Sequence, residues 1–173
     1  MEMIAETPRL KVCAWTSADL PDAVKLWGDP EVMALIDVRG ALNRSQVKDK
    51  LTHEIWMQDT HGVQYWKLVD RNLGVFIGCC GLRPHGDTGV FELGFHIVRE
   101  HWRKGFATEA AQAVVEYAFD KLRATKLFAG HNPKNTASGK ILMKLGFKYV
   151  GDQFYEPTGL DHPSYELIKP AIP

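Results

Sequence analysis

The chain has 173 residues, 45% of them hydrophobic and 24% charged, with Lys plus Arg equal to Asp plus Glu at 21 each. That length suffices for one domain with a sizeable core, and the composition excludes a disordered or collagen-like chain. Zero net charge removes any global attraction to nucleic acid or membrane, while leaving room for a local anion site.

No apolar run approaches the ~20 residues that span a bilayer. The opening "MEMIAETPRL" lacks the basic start and apolar core of a secretory leader. Three cysteines is an odd count, and Cys79 and Cys80 are adjacent, a poor geometry for a structural disulfide. They read as reduced thiols in a strand, and the compartment as cytoplasm.

In chain order, "RLKVCAW" alternates as a first strand. Ser17 caps a helix over "ADLPDAVKLWG", ended by Gly28. Asp29 caps "DPEVMALI", with Pro30 at its first position. Ser45 opens "QVKDKLTHEIWMQ", where Val47, Leu51 and Ile55 share a face. The pattern then turns β-rich: "VQYWKLVD" and "VFIGCCGLRP" flank a hairpin turn "RNLG", and "TGVFELGFHIV" follows. Gly94 inside that third run predicts a bulge or a close backbone approach. A helix carries Ala107, Ala110, Ala111, Val114, Ala118 and Leu122 as an apolar stripe. Next come the short strand "KLFAGHN", a helix over "NTASGKILMKLG" with Gly146 at its end, and the strands "FKYVGDQFY" and "SYELIKP". The order is helices, an antiparallel meander, then β–α–β–α–β–β, a mixed α/β single domain over residues 1–173.

The stretch "EHWRKGFATEAAQAV" is the most informative. Arg103 and Lys104 precede Gly105 and a helix of small residues. First-turn amides have no intrahelical acceptor, the helix dipole is positive there, and glycine lets a phosphate approach the backbone. The spacing is neither that of a P-loop nor G-x-G-x-x-G. A plain structural turn explains the stretch equally well when it is taken alone.

With the glycine-containing strand before it and "HNPKNTASGKILMKLGF" after it, the chain resembles the GNAT superfamily of acyl-CoA-dependent N-acetyltransferases. "RKGFATEA" is similar to that family's pyrophosphate-binding loop, and "NTASGKILMKLGF" to its Asn-led helix ending in Leu-Gly-Phe. "TPRLKVCAWTSADLPDAVKLWGDPEV" and "GVFIGCCGL" resemble the RimJ/RimL-like branch, the N-terminal acetyltransferases of ribosomal proteins and their relatives. The likeness runs from about Thr7 to Leu167, its motifs in the family's order.

The resemblance implies a central, mostly antiparallel sheet flanked by helices and splayed between "GVFELGFHIV" and "KLFAGHN". It implies acetyl-CoA as acyl donor, with the pantetheine arm pairing with main chain near Phe95, His96 and Ile97. The pyrophosphate is then expected on the amides of Arg103, Lys104, Gly105, Phe106, Ala107 and Thr108, and Asn135 is expected to hydrogen-bond the pantetheine arm. Trp102 stands where the superfamily pattern has Arg or Gln, a substitution familiar in this branch. Leu142 stands where many relatives carry a tyrosine acid, so Ser138 is the expected donor to the leaving sulfur, or else a hydroxyl that satisfies local backbone. An N–H near Ile97 is expected to bind the thioester oxygen.

Glu92 shares a strand face with Gly94 and His96 and is the first candidate for the base; a cross-strand pair is its structural alternative. His96 is a weaker candidate, and in a strand a packed side chain is the more frequent role. The histidines show no metal-ligand spacing, and no metal is expected. Trp56, Tyr65, Trp66, Phe154 and Tyr155 are candidates for the acceptor wall, with hydrophobic core as the default for each. "FYEPTGLDHPSY" reads as a polar link with Glu156 and Asp161 as candidate cationic-amine contacts. The expected acceptor is a primary amine, on a protein N-terminus or a small molecule, with no nucleic-acid or membrane partner; exposed strand edges leave a homodimer open. A non-catalytic acyl-CoA-binding or regulatory module on the same fold, and a general phosphate binder using only the Gly105 turn, are the alternatives.

Overall fold

The computed structural model describes residues 2–169. Eight strands form one sheet in the order β1-β2-β3-β4-β5-β6-β8-β7. They are β1 Met3–Glu6, β2 Leu10–Cys13, β3 Tyr65–Asp70, β4 Phe76–Pro84, β5 Val90–Ile97, β6 Lys126–Gly130, β7 Lys148–Tyr155 and β8 Leu160–Ile168. Every neighbouring pair is antiparallel except β5 and β6. The helices are α1 Leu20–Trp27, α2 Pro30–Met33, α3 Arg44–His61, α4 Phe106–Asp120 and α5 Thr136–Lys144. The expected mixed α/β architecture with a mostly antiparallel sheet is present.

Alternation along the strands sorts side chains onto two faces, each with its own core. On one face Cys80, Leu82, Leu93 and Ile97 pack with Ala110, Ala111 and Val114 of α4. The small residues of that helix let its backbone lie close against the sheet. On the other face Cys79 and Phe76 pack with Trp15, Trp27, Val47 and Leu51 from the α1–α3 layer. Cys79 and Cys80 therefore point to opposite sides, both fully buried and both free thiols, and burial pushes each thiol well above its ordinary range.

Several local expectations are corrected. The first helical turn starts at Thr16, not Ser17: the Asp19 carboxylate accepts from the Thr16 amide and hydroxyl, both at 2.8 Å. The α3 cap is Asn43, not Ser45. Asn43 Oδ1 accepts from the Gln46 amide at 2.9 Å, and the Gln46 side chain returns the bond, a capping box of the kind whose loss costs about 1 kcal/mol. Asp29 and Pro30 begin α2 as expected. Strand β1 was not anticipated, because four residues ending in an acid carry too little alternation. The link expected over "FYEPTGLDHPSY" shrinks to the turn 156–159, since β7 runs to Tyr155 and β8 begins at Leu160. Glu156 and Asp161 are solvent-exposed there.

Candidate active site

The site begins with a failure of pairing. Strands β5 and β6 are in register only at Val90–Lys126, Phe91–Leu127 and Glu92–Phe128, although β5 continues to Ile97 and β6 to Gly130. Beyond Glu92 and Phe128 the two strands diverge. The amide of Val98 donates to Ile77 O and the amide of His85 to Val90 O, so in the alternating antiparallel ladder the even-numbered residues of β5 bond to β4. Phe95 consequently directs its amide and carbonyl into the fork and Ile97 its amide, while the Ile97 carbonyl accepts from the Trp102 indole. The main chain of His96 turns the other way, opposite Cys79, and it is the His96 side chain that reaches the cleft.

A cleft of about 230 Å³ fills this fork, lined from β5, β6, α5 and the β7–β8 hairpin. Glu92, Phe95, His96, Asn135 and Ser138 all border it. Tyr65, Phe154 and Tyr155 also line it as aromatic walls. Trp66 does not: it is fully buried on the α4 face, with its indole donating to Gln58 Oε1 at 2.9 Å. Trp56 is half-exposed and stacks on His53, outside the cleft.

Glu92 stands at the fork itself. Burial raises its carboxyl above the usual range, only partly offset by His85 and Arg83. His85 Nδ1 lies 3.7 Å from Glu92 Oε2, and its ring stacks on Phe128 at 4.2 Å. A carboxylate so placed holds a proton more readily than a solvated one, which suits a base. His96 behaves oppositely: burial, with Lys50 and Arg83 nearby, pushes its imidazole down to about 3. Trp27 Nε1 donates to His96 Nδ1 at 3.3 Å, so the neutral ring carries its proton on Nε2. It is a packed, hydrogen-bonded residue and not a base at neutral pH.

Gly94 has no bulge; the β4–β5 register runs unbroken through it. The close approach is from a side chain: a Cβ at Gly94 would lie 2.4 Å from the Tyr65 hydroxyl. On α5, Asn135 caps the helix by accepting from the Ser138 amide at 3.3 Å, which leaves its carboxamide N–H groups for the cleft. Leu142 is buried one turn further on and also borders the cleft.

At the C-terminal end of β5 the chain turns into α4. Gly105 is its N-cap with φ 77°, and no side chain caps the helix. The first intrahelical bond is Glu109 N to Gly105 O at 3.1 Å, so the amides of Phe106, Ala107 and Thr108 precede it without helical partners. Arg103, Lys104 and Gly105 are exposed, and Arg103 also takes a left-handed conformation, φ 60°. The geometry fits an anion: bare amides, a cap with no side chain in the way, and flanking cations. Trp102 spends its indole N–H on Ile97 O at 2.7 Å, tying this corner to the edge of β5.

Sequence reasoning missed the brace beneath the turn. Arg9 donates from Nε to Glu109 Oε2 at 2.6 Å and from Nη1 to Lys104 O at 2.8 Å, and its guanidinium covers the Phe106 ring at 4.5 Å. The Thr7 hydroxyl donates to Glu109 Oε1 at 2.6 Å. It also missed Glu54, fully buried and paired with Arg83. Neither had a local signal, because each partner lies on a distant element. Among the described residues no three His, Cys, Asp or Glu side chains converge on a metal site, and no helix is long and apolar enough to cross a membrane.

These features define a forked, mostly antiparallel sheet with a bare helix start beside the fork, and residues 9–148 match the acetyltransferase (GNAT) domain family. The chain belongs to that family. It is 32% identical over 126 residues to the Bacillus subtilis protein YkkB, covering 72% of each chain. Its fold superposes on an acetyltransferase of the GNAT family from Bacillus anthracis with a TM-score of 0.84 at 20% identity, covering 97% and 98% of the two chains. A structure of RimL, a ribosomal L7/L12 alpha-N-protein acetyltransferase in complex with coenzyme A, superposes with a TM-score of 0.82 at 13% identity, covering 96% and 98%.

Proposed function

We propose that this chain is a cytoplasmic, RimJ/RimL-like N-acetyltransferase that moves an acetyl group from acetyl-CoA to a primary amine by direct attack on the thioester. The observation that carries the reading is the fork at Glu92–Phe128, with a bare helix start at its β5 end and a partly buried carboxylate at its root. The Phe95 and Ile97 edge accepts the pantetheine arm as a further strand would be accepted. The amides from Arg103 to Thr108 hold the pyrophosphate, and the Asn135 carboxamide bonds the arm from the β6 side.

An ammonium is not nucleophilic, so Glu92 draws a proton from the acceptor, through water, before attack. The Ile97 amide meets the thioester oxygen as its charge develops. Ser138, bordering the cleft from α5, serves the departing sulfur.

Calorimetry with acetyl-CoA tests the donor half, on the wild type and on Gly105→Glu, with circular dichroism to establish that both fold. The expected result is binding by the wild type and none by the variant, whose carboxylate repels the pyrophosphate. Absence of wild-type binding overturns the reading. Binding without acetyl transfer to any amine assigns a non-catalytic acyl-CoA module instead.

A further inference from the structure

Three residues lie side by side across the sheet: Tyr65 on β3 is in register with Gly81 on β4, and Gly81 with Gly94 on β5. The Tyr65 ring extends to the far strand, where its hydroxyl takes the space a Cβ at Gly94 would need, and at Gly81 a Cβ would meet the main chain of Gln64 and Tyr65. A Cβ at Gly94 would meet the ring at Oη 2.4 Å and Cζ 2.5 Å. The ring is held by two further side chains. Arg83 stacks on it at 4.4 Å, and His96 meets its edge at 5.7 Å. Its own main chain is pinned where β2 no longer reaches: the amide donates to Glu54 Oε2 at 2.9 Å, and the carbonyl accepts from Trp15 Nε1 at 2.6 Å. Among the described residues the hydroxyl itself has no hydrogen-bond partner, and Tyr65 borders the cleft.

A rigidly held phenol at the strand that borders the fork, two residues past Glu92, is a donor looking for an acceptor. Burial, followed by the negative field of Glu92, keeps its pKa well above the ordinary tyrosine value, so the O–H stays intact over the working pH range.

We infer that Tyr65 is a catalytic residue of the acetyl transfer, its hydroxyl donating a hydrogen bond to the negative charge that develops on the acyl group. The inference rests on the acetyltransferase reading above. As the N–C bond forms, the carbonyl π pair moves onto oxygen; as the C–S bond breaks, a pair leaves on sulfur. The oxyanion pair then returns to reform the carbonyl. Glu92 takes the first ammonium proton through water before attack, and the second, shed by nitrogen once the N–C bond has formed, goes to the departing thiolate, leaving an amide and the free thiol of CoA. Tyr65 keeps its own proton throughout and acts only by donating. A donor aimed at developing charge is strongest when it is already oriented, which is what the two glycines and the Arg83 stack provide.

The test is steady-state acetyl transfer by wild type and Tyr65→Phe, with acetyl-CoA affinity and thermal unfolding measured on both. Phenylalanine keeps the ring against Gly94 and removes one oxygen. The expected result is a kcat lower by about a hundredfold, the range found on removing one oxyanion donor, with acetyl-CoA affinity, acceptor KM and Tm nearly unchanged. Gly94→Ala, whose methyl displaces the hydroxyl, is expected to lower kcat as much as Tyr65→Phe. A Tyr65→Phe enzyme with wild-type kcat overturns the assignment and reduces Tyr65 to a packing residue, even if Gly94→Ala is impaired. A wild type that transfers acetyl to no amine overturns the acetyltransferase reading, and this inference with it.

Discussion

Arg9 and Glu109, one hundred residues apart in sequence, meet through Nε and Oε2 at 2.6 Å, and the same guanidinium holds Lys104 O at 2.8 Å. Burial works against the charge of Glu109, but the bonds from Thr7 and Arg9 outweigh it and hold the carboxyl below its usual range. A residue of the bend between β1 and β2 thus fixes the turn on which the pyrophosphate is proposed to rest. Arg9→Ala is expected to raise KM for acetyl-CoA by about tenfold, the equivalent of one lost charge-assisted bond, with kcat little changed. Initial-rate kinetics with acetyl-CoA as the varied substrate checks it.

Glu92 gives a prediction with two signs. Its raised pKa means that the fold disfavours the ionised form, a penalty present above the folded pKa and absent when the group is protonated. Glu92→Gln is therefore expected to lower kcat by about a hundredfold or more, the usual worth of a general base. At pH 7 the same variant is expected to melt higher, by about 2–4 °C for each kcal/mol of relieved penalty in a domain of this size. Turnover and calorimetric melting on the same preparation check both. A fall in activity with a fall in Tm would instead mark a structural ion pair.

His96 sets an acid limit to stability. Unfolded, an imidazole takes up a proton below about 6.5, whereas in the fold this one stays neutral down to about 3. Between those values the unfolded chain binds more protons, so stability falls as pH falls. His96→Asn retains an acceptor for Trp27 Nε1 but cannot titrate. Its Tm is expected to decline less steeply than that of the wild type between pH 6.5 and 4, as followed by circular dichroism.

The charge inventory of the cleft bears on the acceptor. Glu92 is the only carboxylate among the described residues lining it, against four histidines, His85, His96, His131 and His162. Burial holds His96 and His162 below their usual range. One ammonium can be matched there, and further ones would be desolvated without partners. A monoamine is expected to exceed a polyamine or an aminoglycoside in kcat/KM by about tenfold or more, since each 1.4 kcal/mol is a factor of ten. Thiol release from acetyl-CoA with each amine measures the ratio.

What could be read from the sequence divides by the distance over which its physics acts. Gly105 before an alanine-rich helix, Asn135 before "TASGKILMK", and the alternation of "VFELGFHI" are local patterns, and α4, α5 and β5 lie where those patterns put them. Shared strand faces follow from parity, so Glu92, Gly94 and His96 were grouped correctly. Parity alone did not reveal which of the neighbouring main-chain groups faced the fork, because that depends on the β4 register. The role of Gly94 was half legible: a close approach was expected, but its partner, Tyr65, is set by pairing through Gly81. Caps were misplaced by one or two residues where a polar run offered several candidates, as at Thr16 against Ser17 and Asn43 against Ser45. The Arg9–Glu109 brace and the Glu54–Arg83 pair were invisible, since nothing in either segment announces a partner on a distant strand or helix.

The three-pair seam between β5 and β6 has an evolutionary consequence. The half proposed to hold the acyl donor is main chain of β5 and the start of α4 beyond it, which substitutions of surrounding side chains leave in place. The facing half is built from side chains in the turn after α2, Leu35 and Ile36, and on the β7–β8 hairpin, with Phe154 and Tyr155 exposed at its rim. Mutation can therefore rewrite one partner of the reaction while the other is inherited with the backbone. A fold with that division of labour can change what it modifies, residue by residue, without ever losing its supply of acyl groups.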